Sequence, residues 1–214
     1  MKKTFSTLLL LICVISANAQ KAKSNGVANN LSIGPIVGVN FSTLRGNDDS
    51  KFKTGFSGGI FANYSILDNF GITAQLLYST QGAKSKSLSD LTTKVNYIQV
   101  PVLLLFYFNK PGSAFRPKLI VGPQFGFLTS AKTTNGSVTV DTKEYYTTSD
   151  ISGTIGLGFN YSIGKGIWLN MDVRYAHGFE NIAKPLPLIS PVANNSVISI
   201  MAGVSFAFGN YEDL

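Results

Sequence analysis

The sequence is poor in cysteine, in charge and in long apolar runs. Its one cysteine, Cys13, lies in a short apolar segment near the N terminus. Once that segment is cleaved, no thiol remains, which excludes disulfides, thiol catalysis and cysteine–metal sites. No apolar run after it approaches the 18 or so residues of a membrane-spanning helix. No segment beyond residue 20 keeps a 3.6-residue apolar period, so a helical fold is also excluded.

The N-terminal segment has the pattern of a secretory signal peptide. Two lysines precede the apolar residues 8–15, and Ala17-Asn18-Ala19 forms a small-x-small cleavage pattern. The alternative, a membrane anchor, would need about 20 apolar residues. We therefore predict a signal peptide at residues 1–19, a flexible periplasmic leader at 20–30 and one barrel domain at 31–214.

The positive charge of the chain gives little indication of a polyanionic partner. The formal net charge is +7, and removal of the two signal lysines leaves +5. A nucleic-acid-binding domain would cluster its basic residues on one face. Here the lysines are scattered between apolar segments, which predicts solvated loops and no nucleic-acid partner. These lysines are Lys51, Lys53, Lys84, Lys86, Lys132 and Lys143.

Period-two alternation dominates the rest of the chain and predicts β-strands. Three of the predicted connections, the second, fourth and sixth, are short, whereas the other four are long. Short periplasmic turns that alternate with long outer loops are typical of outer-membrane barrels. The predicted strands are 31–41, 54–66, 70–80, 95–108, 115–128, 150–163, 166–178 and 197–208. The predicted fold is thus an all-β, eight-stranded antiparallel transmembrane up-and-down barrel.

The two faces of the four most regular strands differ sharply. One face has 23 positions, of which 22 are apolar; the other has 21, of which five are apolar and two are charged. A water-facing sheet would carry about five to seven charges over 21 positions. Small, uncharged residues instead suit the narrow lumen of an eight-stranded barrel. The bulky face is therefore predicted to face the lipid of the outer membrane, where a closed barrel satisfies every backbone hydrogen bond.

Aromatic and proline residues add two further predictions. Aromatic side chains concentrate near both strand ends, as in the interfacial girdles of membrane barrels. Pro35, Pro101 and Pro123 fall inside predicted strands, where each lacks an N–H for the ladder, so we expect local bulges there.

Two segments carry a family resemblance. Residues 97–104, Tyr-Ile-Gln-Val-Pro-Val-Leu-Leu, and residues 174–182, Arg-Tyr-Ala-His-Gly-Phe-Glu-Asn-Ile, resemble strand motifs of the PorT-like outer-membrane β-barrel family of Bacteroidota. Gln99 stands where that family more often has an acid, so a neutral hydrogen bond is expected there in place of an ion pair. The resemblance implies outer-membrane residence and supplies no activity, because a fold alone assigns none.

No catalytic, cofactor or metal site is predicted, and the sequence does not identify the residues of a binding site. Asp172 and Arg174 share one strand face, where Lys118 has the parity to join them, and they are interpreted as a lumen pair. His177 has the opposite parity, so a hydrolase-type grouping does not converge. The adjacent acids Asp48 and Asp49 are too few for a calcium site and indicate a solvated loop.

The sequence leaves three functional hypotheses. The first is a non-enzymatic envelope protein, with a role in secretion or assembly as one option, whose long outer loops contact another protein. The second is a soluble lipocalin-like carrier of a small ligand, and the third is an outer-membrane enzyme. The apolar loop at residues 184–191 either docks a partner or folds over the barrel mouth, and we favour the second role for it.

Overall fold

A computed structural model describes residues 31–46, 49–88, 90–110, 112–185 and 192–208. The predicted signal peptide, the leader and most of the 184–191 loop lie outside these residues. The described elements are nine strands and one short 3-10 helix. They are β1 (Leu31–Arg45), β2 (Ser50–Leu67), β3 (Phe70–Ser85), β4 (Leu91–Tyr107), β5 (Phe115–Asn135), β6 (Val138–Asp141), the 3-10 helix (Lys143–Tyr145), β7 (Ser149–Gly164), β8 (Ile167–Gly178) and β9 (Asn194–Phe208).

Eight of the strands close into an antiparallel barrel, as predicted. Their order is β4-β3-β2-β1-β9-β8-β7-β5, and pairing of β4 with β5 completes the ring. The first and last strands are joined along most of their length, from Leu31 opposite Phe208 to Arg45 opposite Asn194. No helix among the described residues is long and apolar enough to cross a membrane.

The predicted assignment of the two faces is confirmed. Along β3, for example, Thr73 and Gln75 are buried in the lumen, whereas Leu76 and Tyr78 are exposed on the outer surface. Large apolar side chains cover that outer surface, and aromatic residues lie towards both of its ends. An apolar outer band bounded by aromatics is the surface expected of a barrel in lipid.

Most of the strands are longer than predicted, and the main extensions are at the long-loop end. Strand β3 continues to Ser85 and β5 to Asn135, where the residues are polar and the apolar–polar contrast fades. Their extensions remain paired, because backbone hydrogen bonding does not depend on an apolar face. The prediction of solvated loops is therefore wrong for Lys51, Lys53, Lys84 and Lys132, which lie on strand extensions, and Lys53 is in addition buried.

Strand β6 was not predicted. It forms a hairpin with the outer end of β5, in which Asn135 lies opposite Val138 and Lys132 opposite Asp141. A two-residue Gly136-Ser137 loop connects the strands, and Gly136 has a positive φ of 56°. Such a Gly-Ser pair between short strands is itself a hairpin signal, so the sequence held the information.

The expected bulges at the prolines are wrong. Pro35 lies opposite Ile60, Pro101 opposite Gln124 and Pro123 opposite Gly153, all without a register shift. The missing N–H instead interrupts the ladder on one side, since Pro35 has no partner on β9, Pro101 none on β3 and Pro123 none on β4. Register shifts occur elsewhere, between Phe52 and Ser57, Ser65 and Leu67, Asn96 and Tyr97, and Ser162 and Gly164.

The lumen is more apolar than the four most regular strands indicate. Leu103 and Leu105 of β4 pack with Ile120 of β5 near the short-turn end, and all three are almost fully buried. A second group surrounds Phe61 at mid-height. Both β4 and β5 are apolar on both faces, so alternation could not show their contribution to the core.

Candidate functional site

A buried ion cluster occupies the lower half of the lumen. Asp172 and Arg174 project inward from β8, as predicted, and Lys118 reaches them from β5. The Asp172 carboxylate lies 2.9 Å from Lys118 Nζ and 2.5 Å from Arg174 Nη2. A charge buried at this depth is stable only when it is paired, so this arrangement explains how the lumen holds three charges.

Neutral side chains add further hydrogen bonds to the two cations. Arg174 Nη1 donates to Gln75 Oε1 at 2.8 Å, and Lys118 Nζ donates to Asn160 Oδ1 at 2.7 Å. Asn160 in turn donates to the Tyr107 hydroxyl at 3.3 Å. These contacts span β3, β5, β7, β8 and β4, so the cluster ties the barrel wall together across the lumen.

His177 lies on the outer face, away from the ion cluster. Its Nδ1 is 3.4 Å from the Tyr175 hydroxyl, and its ring contacts Phe179 edge-on with centroids 5.9 Å apart. The predicted separation of His177 from Asp172 and Arg174 is confirmed. The hydrolase-type grouping that the sequence raised is therefore not assembled.

The middle of the barrel contains almost no free space. The void beside Arg174, Gln99 and Thr154 measures about 20 Å³, and the one beside Asp172 has essentially no volume. One water molecule needs at least about 10–15 Å³. Among the described residues the lumen thus holds neither a solute path nor a ligand cavity.

The outer mouth of the barrel is covered by two loop segments. Ile182 inserts into it with no solvent exposure and packs on Leu44, Ala83 and Ala193. Tyr146 lies against the same group. We call residues 143–147 and 181–184 together the mouth cap.

Backbone hydrogen bonds hold the two halves of the mouth cap together. Thr147 N donates to Ile182 O and Lys184 N donates to Tyr145 O, each at 2.8 Å. Tyr146 and Ala183 form an antiparallel bridge between these bonds. The described start of the 184–191 loop, Lys184, is therefore part of a structured cover over the mouth.

Asn181 fixes the second half of the mouth cap. Its Oδ1 accepts hydrogen bonds from the backbone N–H groups of Ala183, at 3.1 Å, and Ala193, at 2.8 Å. The Asn181-Ile182 pair that ends the family-like segment 174–182 thus has a structural role: the asparagine shapes the loop and the isoleucine fills the mouth.

A buried acid that sequence reasoning had not considered lies beneath the mouth cap. Asp150 Oδ2 accepts from Asn195 Nδ2 at 2.8 Å and from the Ser152 hydroxyl at 3.3 Å. The same Asn195 amide lies 3.3 Å from the Tyr97 hydroxyl. Its partners are amide and hydroxyl groups, so Asp150 belongs to a polar layer under the cap.

Two open clefts flank the mouth cap on the outer side. One measures about 660 Å³, between Leu44, Lys84 and Tyr146; the other measures about 610 Å³, between Leu128, Glu144 and Tyr146. Among the described residues no group of three His, Cys, Asp or Glu side chains could hold a metal ion. These two clefts give the outer rim accessible concave surface.

Asp49 organises one edge of this rim. Its carboxylate accepts from the Ser85 hydroxyl, from the Ser87 hydroxyl at 2.6 Å and from the Ser87 backbone N–H at 2.7 Å. These bonds favour the charged form, with the Ser85 hydroxyl contributing most, and lower the pKa of Asp49 to about 2. Asp49 thus joins the first long loop to the second.

We expect this connection to be lost in acid. The folded pKa of Asp49 is depressed, so its stabilising effect is present above the ordinary pKa near 4 and disappears as pH falls through about 2. An NMR titration of the Ser87 amide should show a midpoint near pH 2. Replacing both Ser85 and Ser87 with alanine should move the Asp49 pKa back towards 4, and an unchanged midpoint would contradict this assignment.

Comparison with known proteins identifies the barrel type. The family model described as "Outer membrane protein beta-barrel domain" matches residues 18–184. No curated protein matches the chain.

Several solved structures share the fold. Neisserial surface protein A (NspA) is 17% identical, with 85% of this chain and 99% of that chain covered and a TM-score of 0.55. OprG from Pseudomonas aeruginosa is also 17% identical, with 86% and 97% covered and a TM-score of 0.54. A major outer membrane protein from Thermus thermophilus is 12% identical, with 83% and 99% covered and a TM-score of 0.52. At these identities the likeness concerns the fold alone.

Proposed function

Since this chain belongs to the outer membrane protein beta-barrel domain family and resides in the outer membrane, we propose that it is a non-enzymatic envelope protein that binds a protein partner through its outer rim. The filled lumen leaves no route for a solute, and the lipid-facing wall is buried in the membrane. The accessible surface is therefore at the rim, where a partner can be met.

The observation that carries this proposal is the open edge of β6. Among the described residues, β6 pairs only with β5, so its other edge has free backbone donors and acceptors. Val138 and Val140 lie on it and are 65% and 55% exposed. An exposed edge strand with apolar side chains is a template for the addition of an extended segment from another protein.

We also propose that, within the outer membrane protein beta-barrel domain family, the chain is PorT-like. It is supported by the position of its two segments: Tyr97 lies buried under the mouth cap, and Asn181-Ile182 builds the cap. A role in secretion or envelope assembly is one option within this proposal. The soluble carrier is not retained, because the chain resides in the outer membrane and its interior void is only about 20 Å³.

In vivo photocrosslinking tests the proposed interaction. A photoreactive amino acid at position 140 should give a discrete higher-mass adduct in intact cells, whereas the same probe at the lipid-facing position 157 should not. Replacing Val138 and Val140 with lysine should abolish co-purification of the captured protein.

Leu88 supplies the matched control, because it is exposed to the same 55% as Val140 but lies on another loop. Leu88→Lys should leave co-purification unchanged. If probes at positions 138 and 140 gave no adduct, or if Leu88→Lys had the same effect as the β6 double variant, the edge of β6 would not be the binding surface.

A further inference from the structure

Four lysines come together on the outer ends of neighbouring strands, although they are far apart in sequence. Lys51 on β2 lies directly opposite Lys84 on β3, and Lys94 on β4 lies directly opposite Lys132 on β5. The two pairs adjoin, since Gly82 of β3 is opposite Lys94. All four side chains are exposed. We call them the lysine array.

The lysine array is unfavourable for the barrel itself. Like charges directly opposite each other on neighbouring strands destabilise a sheet, and here two such pairs are adjacent. Lys84 and Lys94 also act electrostatically on the buried Lys53. Within the described residues none of the four array lysines forms an ion pair, although Asp141 of β6 lies opposite Lys132. Since no ion pair offsets the repulsion between these lysines, their arrangement indicates that an anion from outside the chain binds to them.

The height of the lysine array identifies the region in which that anion would lie. On each strand the array lysine lies four to six residues closer to the outer end than an outward-facing residue of the apolar wall. These wall residues are Phe56 on β2, Tyr78 on β3, Ile98 on β4 and Phe127 on β5. At about 3.3 Å per residue, the distance along the tilted strand from each wall residue to its lysine is roughly 13–20 Å. Lysine side chains can extend back along an apolar wall and place their ammonium groups at the interface, so the array lies at the level of outer-leaflet headgroups.

The array is also confined to one side of the barrel. Strands β7, β8 and β9 carry no lysine at their outer ends. The other basic residues at this level are Arg45, at the end of β1 next to β2, and Lys143 and Lys184 in the mouth cap. A one-sided cluster that faces outward, above an aromatic girdle, is directed at neighbouring lipid and not at the mouth. We propose that the lysine array binds the phosphate groups of an outer-leaflet glycolipid and so fixes this side of the barrel against that lipid.

Binding by the purified full-length chain in a neutral detergent tests this proposal. The probe is a bis-phosphorylated diglucosamine lipid in mixed micelles, compared with the same lipid after removal of its phosphates. The wild-type chain should bind the phosphorylated form at least about tenfold more tightly, since each lysine near an anionic surface contributes to attraction. Replacing all four array lysines with glutamine should remove that preference.

The matched control removes the same charge elsewhere. Lys110, Lys143, Lys165 and Lys184 are exposed and lie outside the array, and their joint replacement with glutamine should keep the preference. An equal loss in this control, equal binding of the dephosphorylated lipid, or displacement of the lipid by inorganic phosphate at equal concentration would each overturn the proposal.

Folding of the array variant is itself informative. Because two like-charge pairs are removed, the four-lysine variant should unfold in neutral detergent at an equal or higher urea concentration than the wild type. The two double variants, Lys51→Gln with Lys84→Gln and Lys94→Gln with Lys132→Gln, should each lose part of the preference for phosphate. Lower stability of the four-lysine variant, or double variants with unchanged binding, would contradict the role of the array.

Discussion

Replacing Leu157 with arginine is expected to lower the free energy of unfolding by about 2–4 kcal/mol, because the side chain faces the hydrocarbon region of the bilayer. Leu157 is 63% exposed on the barrel surface and lies in β7 between the apolar residues Leu119 and Val173 of the adjoining strands. Urea titration of the chain folded into lipid vesicles measures the change. The heat-dependent shift in gel migration that marks a folded barrel should also occur at a lower temperature.

Val138 provides a control of nearly equal exposure. It is 65% exposed but lies in the β5–β6 hairpin outside the membrane. Val138→Arg should change the free energy of unfolding by less than about 0.5 kcal/mol, as is usual for surface substitutions in water. Equal effects at the two positions would mean that the apolar wall does not face lipid.

The sequence was sufficient for the barrel because two independent patterns agree. Strand alternation assigns each side chain to a face, and the alternation of short and long connections orients the strands. Tyr78 and Thr73, on opposite faces of β3, lie where these patterns predict. Neither pattern depends on contacts between distant residues, and for that reason both can be read from one chain.

Contacts across the lumen could not be read in the same way. Parity places Lys118 on the inner face, but its reach to Asp172 depends on how β5 and β8 are staggered around the closed barrel. The register is set by closure and strand tilt, which a single sequence does not encode locally. The same limit applies to the mouth cap, since Tyr146 and Ala183 meet only when two long loops fold over one opening.

The lysine array shows a different limit. Lys51, Lys84, Lys94 and Lys132 look scattered in sequence because each lies near the end of a strand, next to a long loop. In an up-and-down barrel the ends of neighbouring strands are adjacent, so residues more than 30 positions apart in sequence become cross-strand pairs. Clustering of charge therefore has to be judged after the strands are paired and not along the chain.

Asp172→Asn is expected to have the largest effect on stability among single lumen substitutions, a loss of about 3–5 kcal/mol, because it leaves two buried cations without a counter-ion. The change keeps the size of the side chain and removes only its charge. Lys118 and Arg174 are 3% and 6% exposed and cannot reach water without opening the wall. Gly158 lies opposite Asp172 and leaves no room for a side chain beside Oδ1, so the carboxylate packs directly against the backbone there. Urea titration in vesicles gives the magnitude.

A triple variant separates the effect of charge from that of packing. Replacing Asp172 with leucine and both Lys118 and Arg174 with methionine removes the whole cluster, and apolar replacements of a complete buried ion group are often neutral or stabilising. The amides of Gln75 and Asn160 lose one partner each, at about 1 kcal/mol apiece. The triple variant should therefore be more stable than Asp172→Asn, despite carrying three changes instead of one. If Asp172→Asn were as stable as the wild type, the two cations would have to be hydrated, and the lumen would not be the dry, packed interior that its geometry indicates.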